Sequence, residues 1–281
     1  MIINLDNTFS PYSSKKVIAF ESFTFSGGEP HIKILNDLST TKEVFITHRI
    51  KSFNDIGLLL IAVNALRNMK VEKINLLLPY FPAARQDRLM VKGEALSVKV
   101  YAELINNLNL NSVTIFDPHS EVTPALLNDC IVIENYQFIE NIIKTLDKNT
   151  LLISPDGGAL KKIYKVASYL QNYEVIECSK SRNVKTGELS GFKVYTEDLQ
   201  GKDCLIVDDI CDGGGTFLGL AKELKAKNAG RLYLAVSHGI FSKGLEELTK
   251  EFEMIFTTNS FKDIENTNKF NQIKFKDGLL S

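Results

Sequence analysis

Leu205-Ile206-Val207-Asp208-Asp209-Ile210-Cys211-Asp212-Gly213-Gly214-Gly215-Thr216-Phe217 decides how the rest of this chain is read. An apolar run ends in two carboxylates, passes through a glycine-rich turn and enters the helix-like stretch Leu218–Lys227. That order predicts a buried parallel strand over Cys204–Val207, with Asp208 and Asp209 at its carboxyl end, where open α/β sheets take their ligands. The turn Asp212–Thr216, with Gly213, Gly214 and Gly215 at its centre, can aim several backbone N–H groups and the start of the next helix at one phosphate. Three consecutive glycines lose backbone entropy on folding, and close approach of a ligand explains them. Asp212 also reads as a helix N-cap, and the acid pair as a solvated strand end. Acids beside a phosphate cradle suit the hydroxyls of a phosphorylated ribose.

The 281 residues are enough for one large domain or two ordinary ones. With 44% hydrophobic and 24% charged residues the composition is that of a soluble globular protein. The net charge is −1 and Lys and Arg are spread along the chain, which leaves no basic footprint for nucleic acid. The four cysteines, Cys130, Cys178, Cys204 and Cys211, form no CxxC pair and fit reduced thiols in a cytoplasmic protein. Met1–Asn7 lacks a basic start followed by a long apolar stretch, so no secretory signal is expected. No apolar run approaches the ~20 residues that span a bilayer, so no membrane partner is expected.

Apolar β-type runs recur at Lys16–Ala19, Glu43–Thr47, Lys73–Leu78, Ser112–Phe116, Leu151–Ser154, Glu174–Glu177, Cys204–Val207, Arg231–Ser237 and Met254–Thr257. Helical patterns fall between many of them, at Ile56–Met69, Ser97–Leu108, Ile139–Leu146, Leu160–Leu170, Phe217–Lys227 and Leu245–Glu251. Such alternation predicts mainly parallel sheets flanked by helices. Nine strands exceed one small sheet, and Ile131–Gln137 reads as a crossover. The chain is therefore divided into two α/β domains, 1–135 and 136–281.

Four further segments carry candidate chemistry. Pro79–Arg88 follows a strand and presents Arg85, Gln86, Asp87 and Arg88; guanidinium forks bind phosphate oxygens bidentately and never lose their charge. Phe116–Ser120 places His119 at a strand end, where it can ligate a metal or hydrogen-bond a phosphate. Ser154–Ala159 repeats the order of strand, acid and glycines, so Asp156 can hold Mg²⁺ or cap the following helix. Cys178–Gly187 reads as a polar connection in which Lys180 and Arg182 would face one side of an extended strand, able to neutralise charge on a transferring phosphoryl group.

Taken together these segments resemble the ribose-phosphate diphosphokinases, or phosphoribosyl pyrophosphate synthetases. The matching elements are residues 79–88, Asp-x-His at 117–119, Ser-Pro-Asp-x-Gly at 154–158 and Lys-x-Arg at 180–182. To these add Val-Asp-Asp-Ile…Asp…Gly-Thr at 207–216 and Ser-His-Gly-Ile-Phe-Ser at 237–242. The resemblance implies two tandem type I phosphoribosyltransferase-like domains with an active site at their junction. It implies that Arg85, Gln86, Asp87, Phe25 and Glu29 bind ATP and that His119 and Asp156 contribute to Mg²⁺ sites. Lys180 and Arg182 would be catalytic, and Asp208, Asp209 and Asp212–Thr216 would hold the sugar phosphate. The implied reaction moves the β,γ-diphosphate of ATP to the C1 hydroxyl of ribose 5-phosphate and releases AMP, in a homo-oligomer (dimer or hexamer).

Two departures from the family pattern motivate an alternative to ribose 5-phosphate, the same chemistry on a larger acceptor. Gly27 replaces the acid of a Phe-x-Asp-Gly-Glu segment at Phe25–Glu29, and Gly213 replaces a threonine of the sugar-phosphate loop. An all-glycine loop leaves room for the 5′-diphosphate of ADP-ribose, which also has a free C1 hydroxyl. A phosphoribosyltransferase would not need the Arg85–Arg88 element. A silent regulatory paralogue would have lost some of His119, Asp156, Lys180, Arg182, Asp208 and Asp209, all of which are present.

Overall fold

The computed structural model describes residues 1–171, 173–182 and 189–276, with the side chains of 181, 182, 189 and 190 outside that description. Two compact units form. The first is Met1–Glu134 together with the segment that begins at Phe275, and the second is Asn135–Lys274.

In the first unit the elements are β1 (Ile2–Asn4), β2 (Phe20–Thr24), β3 (Pro30–Ile34), β4 (Glu43–Thr47), α1 (Phe53–Asn68), β5 (Lys73–Leu78), α2 (Ser97–Asn106), β6 (Ser112–Phe116), α3 (Val122–Leu126) and β7 (Cys130–Ile133). Five strands make an all-parallel sheet in the order β1-β4-β5-β6-β7. Alternate residues such as Val44, Ile46, Ile74, Leu76, Val113 and Ile115 face one core that also takes Ile56, Leu59 and Val63 of α1 and Val98 and Ala102 of α2. Each fully buried Val, Leu or Ile among these contributes roughly 1.5–3 kcal/mol of transfer free energy. Ser52 and Asp55 form a capping box that starts α1.

Several expectations change here. Ile131–Gln137 is not a crossover: Cys130–Ile133 is the edge strand β7, and a helix starts at Tyr136. Its alternation is hidden in an all-apolar run, with Val132 packed inward and Ile131 51% exposed. Lys16–Ala19 is not a strand; Val17 makes a single bridge to Ile2, and extended pairing begins only at Phe20, in the β2–β3 hairpin. The domain assignment 136–281 also changes at its end. Phe275 belongs to the first unit because its ring packs 4.9 Å from that of Phe116 and 6.2 Å from that of Phe9.

Past the ends of β1 and β4, Arg49 Nε meets Asp6 Oδ2 at 2.8 Å, with the Arg49 side chain 1% exposed. Burial opposes ionisation of Asp6, yet hydrogen bonds from Arg49 and Thr8 hold its pKa far below the carboxylate range. Because that pKa is depressed, the stabilisation is present above the ordinary value of 3.8 and is lost as pH falls through the folded value. Arg49→Met is expected to cost about 2–3 kcal/mol at neutral pH, less than a fully buried pair because Lys51 and solvent partly screen Asp6. Urea denaturation at pH 7 and again in acid checks this: the gap between variant and parent should narrow in acid.

The second unit contains α4 (Tyr136–Ile143), β8 (Leu151–Ser154), α5 (Leu160–Tyr169), β9 (Val175–Arg182), β10 (Leu189–Val194), β11 (Cys204–Cys211), α6 (Gly215–Ala226), β12 (Leu232–Gly239), α7 (Glu246–Glu251), β13 (Met254–Thr258) and β14 (Phe270–Ile273). Its seven strands run β10-β9-β8-β11-β12-β13-β14, parallel except for the β9–β10 hairpin. All eight residues of β12 are buried, as expected for a central strand covered on both faces. From β8 the chain builds outward to β9 and β10, then returns to lay β11 on the other side of β8. The strand order therefore reverses between β8 and β11, which makes their carboxyl edge the crevice where such sheets bind ligands. The first unit's sheet, running one way from β1 to β7, has no such reversal.

Candidate active site

The β8–β11 crevice gathers the second unit's candidate residues. β8 stops at Ser154, and its pairing with β11 ends at Ile206↔Ile153. The acids are not beyond the strand, as the sequence suggested; β11 continues through them to Cys211, paired with β12 at Asp208↔Val236 and Ile210↔His238. Asp208 and Asp209 thus stand on a strand that overhangs its shorter neighbour. Asp209 is buried, and Asp208 is partly so. Burial pushes the Asp208 carboxyl well above its ordinary pKa, and the negative charges of Asp209 and Asp156 push it the same way.

Asp156 sits in the turn after β8. Its Oδ1 accepts from the N–H of Gly158 at 2.8 Å and of Ala159 at 3.1 Å, and its Oδ2 is ion-paired with Lys180 Nζ. Asp156 does not cap α5, whose N-cap is Ala159 with no side-chain bond; it closes the turn just before that helix and has Lys180 as its ion partner. Lys180 lies within β9 rather than in a loop, paired with Phe192 across the hairpin. Arg182 ends that strand; its side chain, and residues 183–188 of the expected polar connection, lie outside the described residues.

The glycine-rich turn follows β11 directly. Gly214 is the N-cap of α6 at φ 78°, a left-handed conformation that favours glycine, and a Cβ there would also press Leu248 at 3.1 Å. Gly215 and Thr216 are already helical, and no side chain caps this helix start, leaving its first amides for a ligand. Gly213 differs: its φ is not positive, and a Cβ would make ordinary contact with Lys243 at 3.4 Å. The fold does not demand glycine at 213. Asp212 is tied to the turn after β12, its Oδ1 accepting from Ser242 Oγ at 2.6 Å.

Lys162 of α5, which the sequence reading passed over, lines a small pocket together with Asn135, Asp208 and Asp209. Its position three residues after Ala159, on the first turn of the helix that follows Asp156, is the signal that would have found it.

In the first unit, Arg85 and Gln86 are exposed in a turn held by Gln86 N–H donating to the Ala83 carbonyl at 2.9 Å. Asp87 is different. It is 7% exposed, and Arg88 Nε donates to its carboxylate at 3.0 Å. Burial opposes its ionisation, but hydrogen bonds from Arg88 and Ser120 and the nearby His119 hold its pKa down. Asp87 therefore clasps the Arg85–Arg88 loop to the Asp117–Ser120 loop. Phe25 and Glu29 stand on the β2–β3 hairpin, a separate two-stranded sheet. There the Phe25 ring, 52% exposed, meets Phe23 at 4.8 Å and His31 at 5.6 Å.

Among the described residues, no group of three His, Cys, Asp or Glu side chains is gathered to enclose a metal. Mg²⁺ needs no such cage, since it takes one or two carboxylates and completes its shell with phosphate and water. The mutual repulsion felt by Asp208 is the electrostatic signature of a place suited to a cation, so the donor set fits the ion.

The fold and this edge define a protein of two phosphoribosyltransferase-type α/β units. Residues 127–271 match the phosphoribosyl transferase domain family, and residues 4–108 match the N-terminal domain of ribose phosphate pyrophosphokinase. Over 89% of its length the chain is 30% identical to a ribose-phosphate pyrophosphokinase of Mycoplasma pneumoniae, covering 76% of that protein. It is 29% identical to another from Mycoplasmopsis pulmonis over 83% of this chain and 74% of that one. The crystal structure of phosphoribosylpyrophosphate synthetase from Mycobacterium smegmatis shares the fold, with a TM-score of 0.83 at 20% identity over 98% of this chain and 94% of that one. The chain belongs to the ribose-phosphate pyrophosphokinase family, whose members are diphosphotransferases. Described helices include none long and apolar enough to cross a membrane.

Proposed function

We propose that this enzyme transfers the β,γ-diphosphate of ATP to the C1 hydroxyl of a ribose that carries phosphate at C5, with ribose 5-phosphate as acceptor and AMP as the second product. The observation that carries this reading is the β8–β11 crevice, where the Asp156–Lys180 pair, the two acids of β11 and an uncapped glycine-rich helix start share one edge. In the reaction the C1 hydroxyl releases its proton to solvent water as its oxygen bonds to the β-phosphorus. The bond from that phosphorus to the α,β-bridging oxygen breaks, and AMP departs. Transfer of this kind is governed by positioning and charge neutralisation, so no covalent protein nucleophile is needed.

Asp208 and Asp209 orient the sugar hydroxyls, and the 212–216 turn presents amides to the 5-phosphate. Lys180, released from Asp156 as phosphate charge arrives, supplies a cation to the transferring group. Arg85 and Gln86 take the nucleotide, in a loop that Asp87 braces. Arg182, Phe25 and Glu29 complete the assignment by family resemblance, the last two in a homo-oligomer. Mg²⁺, held by Asp156, His119 or the β11 acids, would neutralise phosphate charge.

One observation favours a second acceptor: Gly213 lacks the side chain that its backbone would tolerate, and what stands beside it is the long side chain of Lys243, so the loop could take the diphosphate of ADP-ribose if that side chain swings aside. Steady-state AMP release with Mg-ATP and each acceptor tests both readings. Ribose 5-phosphate should give the higher kcat/KM; ADP-ribose ahead of it transfers the assignment to the larger acceptor, and release with neither removes the proposed activity.

A further inference from the structure

The turn that joins β12 to α7 lies against the glycine-rich loop and is stitched to it. The N–H groups of Ile240 and Phe241 both donate to the Cys211 carbonyl, at 2.9 and 3.1 Å, and the Ser242 N–H donates to the Asp212 carbonyl at 3.1 Å. Ser242 Oγ adds a second bond to Asp212, and Phe241 takes a positive φ of 46° to make the turn. The next residue is Lys243. Its Cγ, Cδ and Cε lie 3.4–3.6 Å from where a Cβ on Gly213 would stand, so its stem covers the bare side of the loop and its ammonium lies one bond beyond. Lys243 is exposed and has no hydrogen-bond or ion-pair partner among the described residues, although the chain carries slightly more acidic than basic groups.

We propose that Lys243 is a specificity-determining residue for the acceptor, supplying a side-chain cation to the phosphate at the sugar's 5-position in place of the side-chain donor that Gly213 lacks. The inference rests on the assignment of the 212–216 turn to that phosphate. Its physical basis is simple. An unpaired ammonium loses no existing ion pair when it meets a phosphate, and three backbone hydrogen bonds fix the turn that carries it. Because the cation is exposed, its contribution should weaken as salt rises.

Calorimetric titration of ribose 5-phosphate and of ADP-ribose into the whole enzyme, unchanged and as Lys243→Gln and Lys243→Arg, tests the proposal together with steady-state kinetics. Lys243→Gln should weaken binding of at least one acceptor about tenfold at low salt, the scale of a partly exposed charged hydrogen bond. The loss should fall on the acceptor KM rather than on kcat or the KM for ATP, and Lys243→Arg should restore most of it. The acceptor that loses more is the one the cation is set for. A parent enzyme that binds an acceptor without releasing AMP refutes the proposed reaction, while a binding loss in Lys243→Gln would still uphold this residue's role. Equal affinity of parent and Lys243→Gln for both acceptors, or no binding of either by the parent, overturns it.

Discussion

Asp208→Asn is expected to lower kcat by about 10²–10³-fold, the scale of removing one preorganised polar group, while making the ligand-free protein more resistant to heat near neutral pH. The two effects have one cause. Asp208 is held in a partly buried place beside Asp209 and within the field of Asp156, and all of these favour its protonated form. For a carboxyl whose folded pKa is raised, stabilisation is present below the unfolded value and is lost as pH rises through the folded one. At neutral pH the ionised group therefore weighs against folding, and a neutral isostere relieves that strain. With water reaching one side to screen the charge, the gain is expected to be modest, on the order of 1 kcal/mol. Thermal melts of the two apo proteins across pH would show it: Asn should lead at neutral pH, with the gap closing in acid. The same titration should appear in kcat/KM, which reports the free enzyme, as a fall on the acid side at a pH above the ordinary carboxylate range. Because the acids titrate together, that apparent pKa belongs to the group. A variant with full turnover would remove Asp208 from the chemistry.

Lys180→Ala should give a loss of similar size, about 10²–10³-fold in kcat, if this lysine is the cation we propose for the transferring diphosphate. Here stability should move the opposite way. Removing Lys180 leaves the Asp156 carboxylate without its ion-pair partner beside acids that already repel one another. The alanine protein should therefore melt earlier at neutral pH, and a second change, Asp156→Asn, should recover the melt without recovering turnover. That double-mutant comparison separates the two roles of the lysine. Full kcat in Lys180→Ala, with only the melt affected, would reduce Lys180 to a counter-ion for Asp156.

Much of this site was legible from residue order alone. A strand, then acids, then glycines, then a helix has few foldings that satisfy its backbone and bury its apolar run, so Asp208–Thr216 and Asp156–Gly158 were placed at sheet edges from their neighbours. The buried strands Glu43–Thr47, Lys73–Leu78, Ser112–Phe116 and Leu151–Ser154 came through with their bounds because local hydrophobicity and turn residues agreed. Segments whose pattern is set by their partners did not. Cys130–Ile133 is a strand only because β6 offers it an edge, and the β2–β3 hairpin shows mostly exposed residues with little apolar signal. The extension of β11 through its own acids is imposed by β12, which pairs along it to Gly239.

By itself the sequence determined the α/β class, the two-part organisation and the glycine-rich turn between β11 and α6, because those follow from short-range periodicity and the left-handed backbone that Gly214 supplies. Only the tertiary structure decided that strand order reverses between β8 and β11, that Lys180 is matched to Asp156, that Asp87 is braced against Ser120, and that Lys243 stands over Gly213. The reason is distance along the chain: each of these pairings joins residues brought together by sheet topology or loop packing, and no local preference encodes which distant partner a side chain will meet.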